Sequence, residues 1–382
     1  MYCYNSFLNS ENRKYRLQSQ IVSDEINSVI EHMLTSLTNR FESDTKSIDV
    51  NADDIMFRTA KDLIYSCFYK KYNHVNYNPQ DKGNLHKIRG MHGYSHWIVP
   101  YIMLYPLVMR ILKPFVGNLF GHKKIVTFIK EQLASSLVAR KEKSLAEKKG
   151  VKIDTENIPL GDGRVYRRNM IDPFTDSYYE GKISRTEYMN SSLFLFFAGV
   201  KTVADAMSRM LYYLATNTTA QEKLRESIFT SGIDSEYLTW CINEVLRLEP
   251  PVTNSCGRIT EYDIEVKEGV VPKGTYIITH AYTIHRLPEY WGEDANQFNP
   301  DRWRDADKFH PTQFIPFGLG PRSCVGKEFA LCSIRKVMVS LLTRYKFERC
   351  ERTSDANLFR AFVHMFLIIE FPTYVRITKL NA

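Results

Sequence analysis

The sequence predicts a mainly α-helical protein with small β-sheets. Three observations carry that expectation. Apolar residues recur at three-to-four spacing over long segments, short strand-like runs lie between turn residues toward the C-terminus, and 13% of the 382 residues are aromatic. The first marks helices with one face to bury. The last argues against disorder. With only 18 Gly and 15 Pro, the chain is neither collagen-like nor dominated by linkers.

Asp24 to Thr38 reads as a helix whose face is Ile26, Val29, Ile30, Met33, Leu34 and Leu37. A shorter helix covers Ile55 to Tyr69. Residues 70–95 are polar and read as loop. Trp97 to Phe120 is apolar all round. It is open to two readings: a proline-kinked buried or partner-facing helix pair, or a surface that dips into a membrane interface.

Lys123 to Lys149 is a long helix, with Arg140 to Lys149 a solvated face. A loop with Gly161, Gly163, Arg164, Arg167 and Arg168 follows. Ser184 to Thr216 is the longest helix, opened by a capping box at Ser184 and Glu187. Gly199 inside it costs roughly 1 kcal/mol relative to Ala, so either tight packing or a ligand requires it.

Glu236 to Leu248 is a helix closed by Pro250-Pro251. Ile264 to Val266 and Tyr276 to Thr279 flank the turn Pro272-Lys273-Gly274 and read as a hairpin. Val325 to Tyr345 is helical, its face formed by Phe329, Leu331, Ile334, Val337, Met338, Leu341 and Leu342. Phe366 to Phe371 and Tyr374 to Ile377 read as strands.

Fifty-one basic and 43 acidic residues give a net charge of +8. Spread along the chain, that excess suits an acidic partner or an anionic membrane surface and does not point to nucleic acid. Seven Cys with no Cys-x-x-Cys pair argue against a disulfide framework or a Cys-rich zinc site, and favour a reducing compartment. Trp97 to Met109 is shorter than the ~18 residues that span a bilayer. The start, MYCYNSFLNSENRKYRL, lacks a signal-peptide layout. The expectation is a chain neither secreted nor self-anchored.

The chemistry concentrates in Phe317-Gly318-Leu319-Gly320-Pro321-Arg322-Ser323-Cys324-Val325-Gly326. A single Cys ends a glycine-bearing loop just before a helix, where the helix dipole and backbone N–H groups favour a thiolate. Gly318 and Gly320 let the backbone approach a ligand closely. Arg322 can reach an anionic group on that ligand, and Gly326 leaves room for something flat. Such a pattern suits a thiolate on a haem iron.

The stretch matches Phe-x-x-Gly-x-Arg-x-Cys-x-Gly, and by it the chain resembles the cytochrome P450 family. Glu244-x-x-Arg247 resembles the family's K-helix Glu-x-x-Arg. Phe298 to Trp303 resembles the segment that follows it. Ala198-Gly199-Val200-Lys201-Thr202 resembles the oxygen-binding groove of the I helix.

The resemblance implies a single haem-thiolate oxidoreductase domain over residues 1–382, with haem b between the helix around Gly199 and the loop at Cys324. Cys324 would be the iron's axial ligand, flanked by Phe317, Gly318 and Gly326. Arg322, Arg258 and Arg16 would meet the haem propionates. Thr202 would assist O–O cleavage. Gly199 would open space above the iron, with Ala198 and Val203 lining it. Glu244, Arg247 and Arg302 would form a structural network, and His285-Arg286 would support the fold.

The implied activity is monooxygenation of a small organic molecule, whether lipid, sterol or aromatic and Tyr-derived. It would use O2 and electrons from an NADPH–cytochrome P450 reductase with an acidic face. The implied setting is the cytoplasmic side, with peripheral contact to the endoplasmic reticulum membrane. Around the haem, the sequence most resembles fungal members.

Two departures stand out. Lys201 precedes Thr202 where the family usually has an acid. Asn12 and Arg16 in SENRKYR sit at the spacing of the family's C-helix Trp-x-x-x-Arg, but the Trp is absent. The chain is therefore expected to begin near the C helix, without the anchor, first sheet and first helices. The rival expectations are a haem-binding remnant without turnover and a non-haem helical interaction protein.

Overall fold

The computed structural model describes residues 20–41, 45–69, 122–149, 157–159, 165–167, 170–254, 257–354, 360–363, 366–369 and 373–380. Asn12, Arg16, the 70–95 loop, Trp97 to Phe120 and most of the basic loop after Gly161 lie outside them.

In chain order the elements are α1 (Gln20–Thr38), β1 (Ser47–Asn51), α2 (Ala52–Tyr69), α3 (His122–Lys148), β2 (Asn157–Pro159) and β3 (Val165–Arg167). Then come α4 (Asp172–Tyr179), α5 (Arg185–Thr216), α6 (Thr218–Ser231) and α7 (Glu236–Leu248). Strands β4 (Arg258–Ile259), β5 (Ile264–Val266), β6 (Gly269–Val271) and β7 (Tyr276–Ile277) precede the single-turn helices α8 (Ala281–Ile284) and α9 (Pro288–Trp291). The chain continues with α10 (Lys327–Leu342), β8 (Tyr345–Glu348), β9 (Arg360–Val363), β10 (Phe366–Ile369) and β11 (Tyr374–Lys379). Among the described residues no helix is long and apolar enough to cross a membrane.

The helices follow the apolar spacing closely. All six residues of the expected α1 face are buried. The α5 capping box is reciprocal: Ser184 N–H donates to Glu187 Oε2 at 2.8 Å, and Glu187 N–H to Ser184 Oγ at 3.2 Å. Helix α7 ends at Leu248, before the two prolines.

Two compact units form. The first comprises Met1–Asn39, Phe57–Lys201 and Glu328–Ser333. Its core includes the α1 face with Leu63, Tyr188 and Phe196. Buried Tyr166 donates to Asp172 Oδ1 at 2.9 Å and shares a 2.6 Å bond with Ser136, so its hydroxyl is satisfied.

The second comprises Arg40–Met56, Thr202–Lys327 and Ile334–Ala382. Its main sheet has the antiparallel order β1-β11-β8, with Ser47 opposite Thr378 and Arg376 opposite Glu348. Buried polar groups fasten this sheet. Asp53 Oδ2 accepts from Thr373 N–H at 2.7 Å, and its Oδ1 from Arg209 at 3.0 Å. Gln221, fully buried, bonds both backbone groups of Phe347: Nε2 donates to the carbonyl at 2.7 Å, and Oε1 accepts from the N–H at 2.9 Å.

One expectation is corrected. Residues 264–266 do not pair with 276–279 across Pro272-Lys273-Gly274. Instead β5 pairs with β6 around Lys267-Glu268, and β7 pairs with β4, Arg258 opposite Ile277. The proline turn is real, with Thr275 N–H on the Pro272 carbonyl at 3.2 Å, but it joins strands of different pairs. In addition α10 starts at Lys327 and ends at Leu342, where the chain turns into β8.

Gln221→Ala is expected to strand the backbone N–H and carbonyl of Phe347 in a dry site, at about 1–3 kcal/mol for each lost partner. A urea midpoint within error of wild type would refute this account of the β8 anchor.

Candidate functional site

The site grows from Glu244 and Arg247 on α7. Both side chains are fully buried. Three residues apart on a helix, they face the same way, and the guanidinium takes both carboxylate oxygens at 2.8 Å. Arg302, in the 3₁₀ segment Pro300–Lys308, adds its Nε to Glu244 Oε1 at 2.9 Å. Trp303 Nε1 donates to Oε2 at 2.9 Å, and Asn299 N–H to Oε1 at 3.0 Å. Arg247 spends its other N–H groups on the carbonyls of His285 at 2.8 Å, Ala295 at 2.6 Å and Gln297 at 3.2 Å. The structure therefore brings Glu244, Arg247 and Arg302 together. Removing one charge would leave the others buried without compensation, at about 3–5 kcal/mol.

Fully buried His285 connects this network to the thiol loop. Its carbonyl holds Arg247, and its ring Nε2 accepts from Ile315 N–H at 2.9 Å. The Ile315 carbonyl accepts from Gly318 N–H at 3.0 Å, and the Phe317 carbonyl from Cys324 N–H at 2.8 Å. Gly318 and Gly320, at φ of 69° and 71°, sit in the left-handed region that favours glycine. Cys324 is exposed, and Gly326 occupies the N-cap of α10. The helix starts at Lys327 instead of Val325, so the thiol stands two residues further from the first helical turn than the sequence suggested.

The remaining candidates are more dispersed. Arg258 leads β4, with Nη1 on the Gly257 carbonyl at 3.1 Å, and is exposed. Arg322, in the turn Gly320–Arg322, is exposed too. Thr202, Lys201 and Ala198 are half-buried in α5, and Val203 is buried. A Cβ at Gly199 would lie 2.5 Å from Ile64 Cδ1, so on that side the glycine admits a packing neighbour, not the open space the resemblance assigns. Sequence reasoning placed His285 only as fold support and missed its link to the thiol loop. The one local signal was a His-Arg after an apolar turn.

The residues present fit a haem. Cys324 offers an exposed sulfur at the end of a backbone-pinned loop. Among the described residues, a Cβ at Gly326 would meet Cys324 Sγ alone, at 3.9 Å, so they leave space beside the sulfur. Arg258 and Arg322 both present exposed guanidinium groups, whose fork geometry suits carboxylates. Among the described residues no three His, Cys, Asp or Glu cluster as a metal site.

Burial, reinforced by the Arg247 charge, pulls the His285 pKa from 6.5 down to about 3. The folded chain thus binds this proton more weakly than the unfolded chain. Its contribution to stability is complete above pH ~6.5 and is lost as pH falls toward 3. His285→Gln keeps an acceptor for Ile315 N–H but cannot titrate. Between pH 7 and 5, wild type should lose about 2 kcal/mol more stability than this variant. Parallel pH profiles in urea would contradict that.

The model of the family described as Cytochrome P450 matches residues 6–376. Similar proteins include cytochrome P450 3A29 of Sus scrofa, 28% identical over 263 residues that cover 65% of this chain and 50% of the relative. Cytochrome P450 3A7 of Homo sapiens is 29% identical over 293 residues, 72% of this chain and 54% of the relative. Cytochrome P450 3A16 of Mus musculus is 33% identical over 184 residues, 45% and 36% of the two chains. The chain spans about half the length of the first two. These relatives are mammalian, so the expected fungal likeness is not supported. With the thiol loop and the α7 network in place and the family model matched over nearly the whole sequence, the chain belongs to the cytochrome P450 family.

Proposed function

We propose that this chain is a haem-thiolate monooxygenase that takes electrons from a reductase and oxidises a small organic substrate. The observation that carries the reading is the exposed Cys324 on its pinned loop, with open space at Gly326. Haem b, which the Cys324 thiolate would hold, would supply the chemistry that inserts one atom of O2 into an organic molecule.

The chain's own residues would do the rest. The Cys324 N–H bond to Phe317 fixes the sulfur, and the N–H groups at the start of α10 favour its charge. Arg258 and Arg322 would take propionates, since a guanidinium fork matches a carboxylate. Thr202 Oγ1 would hold or pass a proton. The substrate would be a lipid, a sterol or an aromatic, Tyr-derived molecule. A reductase with an acidic face would suit the +8 chain. We place the protein on the cytoplasmic face of the endoplasmic reticulum membrane, in peripheral contact with it.

Reduced wild-type protein under carbon monoxide should show the red-shifted Soret band of thiolate ligation, and Cys324→Ala should lose it. The same band in both would end this reading.

Lys201 favours a second reading, a haem-binding protein impaired in turnover. An ammonium donates hydrogen bonds but accepts none, so Lys201 cannot relay a proton to Thr202 as a carboxylate does. Under this reading Lys201→Glu should raise product formed per NADPH consumed several-fold. Tight coupling that is equal in both proteins would remove it.

A further inference from the structure

We propose that Tyr276 is a positioning residue for Arg258: its ring clamps the backbone at Gly257, so that the guanidinium is held ready for a haem carboxylate. This role rests on the haem-thiolate reading above, in which Arg258 takes a propionate. Tyr276, Gly257 and Arg258 belong to one compact unit.

Strand β4 is two residues long, and among the described residues its sheet has two strands. So short a ladder holds a strand weakly, and its flanks decide how Arg258 is presented. On the C-terminal side Thr260 is pinned. Its N–H donates to the Thr275 carbonyl at 3.0 Å, and its hydroxyl to the Pro272 carbonyl at 2.7 Å. On the N-terminal side stands Gly257.

The backbone does not demand glycine at 257, where φ lies outside the left-handed region. The neighbouring ring does. A Cβ there would fall within the Tyr276 ring, against Cζ, Oη and Cε2. The ring therefore lies directly over the glycine, as aromatic side chains cover glycines at sheet edges. Tyr276 is otherwise 63% exposed, so this contact accounts for a large aromatic group on an open strand.

Two links then meet at one residue. Ile259 pairs with Tyr276 and Arg258 with Ile277, so by strand alternation Gly257 shares the face of the ring and Arg258 stands on the other. Arg258 Nη1 donates back to the Gly257 carbonyl at 3.1 Å. The ring thus fixes the residue on which the guanidinium leans, and acts on Arg258 through the backbone. A side chain already held loses less freedom when it meets a carboxylate.

The test measures how fast the full chain gives up haem, or haem dimethyl ester with its carboxylates blocked, to excess apomyoglobin. Wild type should hold haem about ten-fold longer than the ester, the effect of one charge-assisted hydrogen bond. Tyr276→Ala should cut that preference several-fold, and so should Gly257→Ala, which displaces the ring without removing it. Tyr276→Phe keeps the clamp and should match wild type. Arg258→Ala should cut the preference as well, and adding Tyr276→Ala to it should change nothing further. The role is refuted if both alanine variants at 257 and 276 keep the wild-type preference, if Tyr276→Phe loses it, or if the double variant loses more than Arg258→Ala. Wild type that takes up haem without preference over the ester would overturn this role alone. Wild type that takes up no haem would overturn the haem-thiolate reading and this role with it. None of these readouts requires turnover.

Discussion

Five hydrogen bonds converge on the carboxylate of Glu244, and neither it nor Arg247 touches water. Charges taken out of solvent this completely are tolerable only when every donor and acceptor arrives in place. The atoms that satisfy them come from α7, from the carbonyls at positions 285, 295 and 297, and from the 3₁₀ segment at 300–308. Those segments gain little by forming separately, because a partial network leaves a bare charge behind. Trp291 covers Arg247, with its ring centre 5.0 Å from the guanidinium, and Trp303 and Ala295 complete an apolar shell that keeps the site dry.

The loop that presents Cys324 inherits its position from this network through one imidazole. His285 offers its carbonyl to Arg247 and its Nε2 to Ile315, and only a neutral ring can accept there. The same burial that depresses its pKa keeps the ring neutral. Backbone bonds then carry the constraint from Ile315 to Gly318 and from Phe317 to Cys324. Cys324 is thus exposed on a short loop whose backbone is held in place.

Elsewhere in the same unit, buried polar side chains tie distant segments together. Gln221 satisfies both backbone groups of Phe347, and Asp53 ties Arg209 to Thr373.

By itself the sequence determined α1, α2, α3, α5, α7 and α10, the helix-capping pair at Ser184 and Glu187, and the composition of the thiol loop; the shorter helices α4, α6, α8 and α9 were not legible in it. The α1 face from Ile26 to Leu37 is buried throughout, because helical periodicity is a property of consecutive residues and needs no knowledge of the partner. Pairings between distant segments were not determined in that way. The β5–β6 and β4–β7 partners, the packing of Ile64 at Gly199, and the grip of Gln221 on β8 were decided by tertiary structure. So was the link from His285 to the cysteine loop. A strand's partner and a buried polar atom's mate depend on which remote backbone arrives beside them, and local sequence carries almost none of that information.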